Sequence, residues 1–298
     1  MAPFIGRRIL VVLTFSLCGF YNWAQNLVPN PSFEVFTSCP TNYNTGEPLQ
    51  CIPWTKATQG TADYFNVCAF GNNVGVPANY FGSQSPKTGD AYCGFYAKYL
   101  FPYREYIMAP LPTPLVAGEF YYFSMYVSLA DGGPQSENWC GVEHLGAYFS
   151  VNPPPSGGLI WLNVTPQVES QTGFLSDETE WMYVDGCFYA DGGEAYVTIG
   201  NFQDDTNTPT DPLCTGNSLT SYYYVDDVSL LVTPPPSPII FDLGGPVLAC
   251  GEYEIVPDVD NVFYTWEDGS HGPTLTVTES GTYALTVNEG CSFGEDSI

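Results

Sequence analysis

The chain has 298 residues with 32 acidic and six basic side chains, a formal net charge of −26, while 44% of its residues are apolar and 13% charged. So large an acidic surplus excludes nucleic acid as a partner, because a phosphate backbone needs clustered Lys and Arg to displace its counterions. It disfavours an anionic lipid surface on the same ground, and the apolar fraction marks a folding sequence and excludes an acidic disordered tail.

The elements follow in chain order. Arg7 and Arg8 precede an apolar run from Ile9 to Phe20, and Ala24 is followed by Gln25. A basic start, a short hydrophobic segment and a small residue before the cut predict a signal peptide over residues 1–24. The run is too short to span a bilayer, and Leu17 is bulky where a lipidated Cys18 would want a small neighbour. The mature protein is therefore expected outside the cell, at its surface or secreted, with no membrane insertion. Lys56, Lys87, Lys98 and Arg104 are its only basic side chains, so four positive charges stand against 32 negative ones, a net charge near −28. Nine of the ten cysteines lie beyond the leader, a usage that suits an oxidising compartment.

Residues 25–232 are long enough to bury a full sandwich core. From Phe120 to Leu129 the set Tyr121, Phe123, Met125, Val127 and Leu129 is wholly apolar, whereas the alternate set includes Ser124 and Ser128, so one face packs inward. Short strands of similar kind are predicted at Leu145–Val151, Trp181–Tyr189, Ala195–Ile199 and Tyr222–Leu231. Turn clusters separate them at Asp131–Pro134, Pro153–Gly158 and Asp204–Pro209, and no stretch carries a helical stripe. Many short strands with Gly and Pro turns predict an all-β sandwich. Of its cysteines, Cys39 and Cys68 are expected to pair across a loop rich in Asn, Thr, Gly and Pro.

Thr233–Pro238 holds four prolines, a stiff connector that cannot continue a sheet. Beyond it, residues 239–298 form a second, small unit, near the size at which a core needs a staple. Cys250 and Cys291 are expected to supply that staple by pairing with each other. With Trp266 between them they resemble the immunoglobulin arrangement of an indole packed on an inter-sheet disulfide. Tyr283 lies eight residues before Cys291, so a bacterial Ig-like or PKD-like repeat fits better than an antibody domain. The last residues, Gly294–Ile298, read as an edge strand just starting, as in a truncated repeat.

Two strings give a resemblance to known families. Asn26-Leu-Val-Pro-Asn-Pro-Ser-Phe-Glu34 and Tyr222-Tyr-Tyr-Val-Asp-Asp-Val-Ser-Leu230 look like the first and last strands of jelly-roll modules of the carbohydrate-binding and galactose-binding-like kind. The order of these with Asp63–Cys68, Arg104–Ile107, Leu115–Asp131, His144–Ser150 and Val197–Phe202 is similar to surface proteins of gliding Bacteroidetes. The resemblance implies export by a type IX system and a jelly-roll ahead of Ig-like repeats. It also implies a structural calcium, an ion that takes six to eight oxygens, held here by Glu34, Asp226 and Asp227.

Enzyme chemistry finds little support. His144 and His271 are the only histidines, and there is neither an HExxH nor a GxSxG. Cys140, Glu143 and His144 form the nearest thing to a nucleophile with a base. A binding role has a better physical basis: sugars lay apolar faces on aromatic rings while amides and carboxylates order their hydroxyls. Tyr64 and Phe65 after Asp63, Asn79 and Tyr80 among Pro and Gly, and Trp139 in a polar loop are the expected glycan contacts. The expectation is a non-catalytic adhesion protein that binds glycan, with a purely structural spacer and a secreted glycan hydrolase as alternatives.

Overall fold

The computed structural model describes residues 25–298 apart from 45–47, 100–101, 134–138, 156–157, 159–160, 172 and 216–219. The leader expected over residues 1–24 lies outside the described residues. Apart from one turn of 3-10 helix at Val67–Ala69, every described element is a strand. Among the described residues no helix is long and apolar enough to cross a membrane.

Ten strands make the first unit: β1 Thr55–Lys56, β2 Asp63–Asn66, β3 Ala91–Lys98, β4 Ile107–Pro110, β5 Phe120–Leu129, β6 Leu145–Ser150, β7 Val168–Glu169, β8 Met182–Tyr189, β9 Tyr196–Asn201 and β10 Ser221–Val232. They form two five-stranded antiparallel sheets, ordered β1-β4-β9-β6-β7 and β2-β3-β10-β5-β8. From β3 onward successive strands alternate between the sheets, the short β7 excepted. The chain therefore winds around its core as a jelly-roll β-sandwich. The period-two reading of β5 holds residue by residue: Tyr121, Phe123, Met125, Val127 and Leu129 are all buried in the core.

The two terminal strings do lie side by side. Leu27 N–H donates to Leu230 O at 2.8 Å, and Asn26 bonds both Val228 O and Leu230 N–H through its side chain. Only the second string is a strand. Pro29 and Pro31 bring no N–H to a ladder, and β10 carries a bulge between Asp226 and Ser229 that breaks its register.

Five further strands, β11 Tyr253–Ile255, β12 Phe263–Trp266, β13 Leu275–Val277, β14 Ala284–Glu289 and β15 Ser292–Ser297, build sheets β11-β13 and β12-β14-β15. They enclose a separate core of Leu243, Ile255, Trp266, Leu285 and Val287. The residues expected to begin an edge strand belong to β15, which pairs with β14 over its whole length.

Cys39 is bridged to Cys68, with Cα atoms 5.9 Å apart, and Cys140 to Cys214 at 5.5 Å. The expected Cys250–Cys291 bond is corrected. Cys291 is joined to Cys187 on β8, with Cα atoms 5.6 Å apart, and Cys250 is exposed and unpaired. The reason is local geometry. Cys291 sits at the tip of the β14–β15 hairpin and faces outward to β8, whereas Cys250 lies in a bend before β11, and Trp266 packs on aliphatic side chains with no disulfide beside it.

Candidate functional site

The expected glycan contacts are corrected first. Tyr64 and Phe65 belong to β2, whose four residues are all buried, and the Tyr64 hydroxyl donates to Phe33 O at 3.0 Å. Asn79 is a buried hub: its Oδ1 accepts from Phe81 N, Gly82 N and the Tyr224 hydroxyl, and its Nδ2 donates to the Tyr92 hydroxyl. Trp139 is buried too, with Nε1–H on Phe81 O at 3.2 Å. Tyr80 alone is partly exposed, stacked on Tyr43 with ring centroids 3.8 Å apart. Tyr64 faces the inter-sheet core opposite Cys93, and Phe65, Asn79 and Trp139 are buried by a second aromatic layer. On the outer face of β2, β3 and β10, Phe65, Tyr92, Tyr96, Tyr222 and Tyr224 are roofed by residues 67–90, with Phe81 stacked on Tyr222 at 3.7 Å. Polar groups among them satisfy phenol hydroxyls and leave none for a sugar.

The carboxylates Glu34, Asp226 and Asp227 meet at one segment, residues 87–91. Asp226 is fully buried; Oδ2 accepts from Lys87 N and Thr88 N, at 2.9 and 3.2 Å, and Oδ1 from Asp227 N at 2.7 Å. Glu34 Oε1 accepts from Asp90 N and Ala91 N, and Thr88 Oγ1–H donates to Asp227 Oδ1 at 2.6 Å. Five backbone N–H groups therefore take three of the six carboxylate oxygens, and the Thr88 hydroxyl takes a fourth. Among the described residues no three His, Cys, Asp or Glu side chains are placed to hold a metal, so this set as arranged is a clamp on backbone and does not fit a calcium shell. Burial, and then Asp227, push the Asp226 carboxyl up to about 8, outweighing its N–H donors.

Beyond the roof of residues 67–90 the same outer face runs on over β5 and β8, where Phe120 and Ser124 are buried and Cys187 is tied to Cys291 of the small sandwich. Residues directly opposite in an antiparallel pair share a face, and the pairs there are Tyr126 with Tyr183, Ser124 with Asp185, Tyr122 with Cys187 and Phe120 with Tyr189. Tyr183 is 42% and Tyr189 58% exposed. Tyr126 and Tyr183 lie 4.9 Å apart, and Lys87 Nζ stands 4.2 Å over the Tyr126 ring. The Tyr122 hydroxyl donates to Asp185 Oδ2 at 2.8 Å and meets the Tyr183 hydroxyl at 2.9 Å. Burial, helped by those two neighbours, raises the Tyr122 phenol, so it stays protonated as a donor.

This arrangement has the chemistry of a binding surface. Rings offer flat apolar surface, Asp185 offers an acceptor for hydroxyls, and Tyr183 to Tyr189 spans roughly 20 Å along the strand. The sequence carried the signal, since Tyr183, Asp185, Cys187 and Tyr189 alternate with Val184 and Phe188. The Cys140, Glu143 and His144 trio is not a nucleophile with its base. Cys140 is tied up in its disulfide, and His144 lies between Glu143 and Glu169, at 3.4 and 3.2 Å.

No protein-family model matches the chain, and no curated protein matches it. Its likenesses are to solved structures. The K1 cleaved adhesin domain of Lys-gingipain from Porphyromonas gingivalis is 14% identical, with a TM-score of 0.31, covering 68% of this chain and 96% of that one. A carbohydrate-binding module solved with β-1,4-galactotriose, TmCBM61, is also 14% identical, at a TM-score of 0.29 and coverage of 70% and 100%. A putative sugar binding protein from Bacteroides thetaiotaomicron is 12% identical, at 0.30, with coverage of 70% and 100%. Likeness at this level carries no ligand and no partner over to this chain.

Proposed function

We propose that this chain is an exported, non-catalytic adhesion module that binds a neutral glycan on the partly exposed tyrosines of the outer face of β5 and β8. The observation that supports it is that Tyr183, Tyr126, Tyr122 and Tyr189, all partly exposed, lie with Asp185 on one sheet face, beside the Cys187–Cys291 bridge. Stacked rings beside hydroxyl acceptors suit pyranose faces, and a net charge near −28 favours an uncharged saccharide over an anionic one. Three disulfides support residence in an oxidising, extracellular setting. The order of strings similar to gliding Bacteroidetes surface proteins extends the proposal to a type IX-exported surface protein.

A glycan array on the whole protein, followed by titration of the best hit, tests this. Tyr183→Ala and Tyr189→Ala should each weaken binding about tenfold, since one ring stacked on a ligand contributes on the order of 1 kcal/mol. Melting temperatures should fall only slightly, since each ring is partly exposed and loses one aromatic neighbour. No binding to any neutral glycan, or binding unchanged in both variants, would leave the chain as a spacer and refute the reading.

A further inference from the structure

Two cysteines of the first sandwich stand outside its bridges. Cys51 closes the segment that meets Phe36 in an isolated β-bridge, and Cys93 lies in β3 opposite Tyr64 on one side and Val225 on the other. Both are completely buried. Their sulfurs are 3.3 Å apart, although they are 42 residues apart in sequence. A disulfide needs its sulfurs about 2.05 Å apart, so closure asks each side chain to move well under about 1 Å. Nothing polar lies between them, and the setting of the other three bridges is oxidising.

We propose that Cys51 and Cys93 form a fourth disulfide, which fastens the N-terminal segment to the middle of β3. The chemistry is thiol–disulfide exchange with a protein disulfide of the dithiol-oxidase class. The Cys51 thiolate attacks one carrier sulfur and releases the other as a thiolate. Cys93 then attacks Cys51 Sγ in the mixed disulfide and expels the second carrier thiolate. One S–S bond is lost in the carrier and one gained here, and the two protons leave with the carrier's two thiols. Burial raises the Cys93 thiol well above its ordinary range, and the nearby Cys51 adds to it. Thiolate attack therefore belongs to folding, before the sheets close over the pair.

Four bridges would leave Cys250 as the one thiol among the described cysteines. The test is peptide mapping of the whole protein, alkylated in guanidinium chloride without reductant. Expected is one linked species holding the Cys51 and Cys93 peptides, which reductant separates, with label on Cys250. In Cys51→Ser, Cys93 should become labelled while the other bridges persist. Recovery of Cys51 and Cys93 as two labelled peptides from wild type, with the other three bridges intact, would overturn the proposal, as would either one linked to a different cysteine.

Discussion

The Tyr122 hydroxyl donates to Asp185 Oδ2 at 2.8 Å, joining β5 to β8 through side chains on the face that carries the exposed rings. The bond orients Asp185 and, through the 2.8 to 2.9 Å contacts that meet at one oxygen, also Tyr183. Tyr122→Phe should therefore lower glycan affinity about three- to tenfold by releasing both partners, at a stability cost near 1 kcal/mol. Calorimetric titration beside a thermal melt separates the two. Unchanged affinity would mean that the platform does not depend on this link.

Acid dependence follows from Asp226. Its pKa is raised in the folded state to about 8, so the native protein holds a proton that the unfolded chain gives up near the ordinary Asp value. Stability is then greatest at low pH within this window and falls as pH rises from about 4 to 8. Asp63 moves the same way, raised by burial and then by Glu105. Melting temperatures should decline between pH 5 and pH 8, and Asp226→Asn should flatten part of that decline. A melting temperature that climbs across this range would contradict the assignment.

The clamp on residues 87–91 makes a second statement about conditions. Glu34→Gln keeps the shape but replaces a charged acceptor of two N–H groups with a neutral one, which should cost about 1 to 2 kcal/mol. That loss should be equal in millimolar calcium and in EDTA. A wild-type melt several degrees higher in calcium, with the gain missing from Glu34→Gln, would restore calcium to these carboxylates.

Asn79 offers a test of the roofed aromatic layer. Removing its amide in Asn79→Ala strands two backbone N–H groups and the Tyr224 hydroxyl, and takes a donor from the Tyr92 hydroxyl, which keeps its bond to Gln84 O. The cost should be about 3 kcal/mol or more, read from urea unfolding. A loss below about 1 kcal/mol would mean that the surrounding groups find other partners.

The strands were legible because burial imposes a period of two. Tyr121 to Leu129 alternates so strictly that one face could be written down before any coordinate, and the Gly and Pro clusters marked where each strand must stop. Exposure was not legible in the same way. Phe65 and Tyr183 both carry an aromatic ring on the outer face, and what separates them is whether residues 67–90 fold back over the sheet, a long-range event that leaves no local trace. The carboxylates converge on one place as their strings implied, yet their partners are backbone N–H groups, which sequence cannot display. The partner of Cys291 is hidden in the sequence because pairing inside the small unit is the natural choice until the direction of the β14–β15 hairpin tip is known.

The bond between Cys187 and Cys291 has a mechanical meaning if, as proposed, the protein holds a cell to a surface. Pulled by its two ends, the chain passes load from residue 187 straight to residue 291, across 104 positions of sequence. Strands β9 and β10, the proline-rich connector and most of the small sandwich hang in the shielded loop, slack while the bond lasts. The edge strand bearing Tyr183 and Tyr189 is where the tension enters. A ligand held there would sit beside the anchor point itself, and reducing that bond would be expected to add length to the tether before it costs any grip.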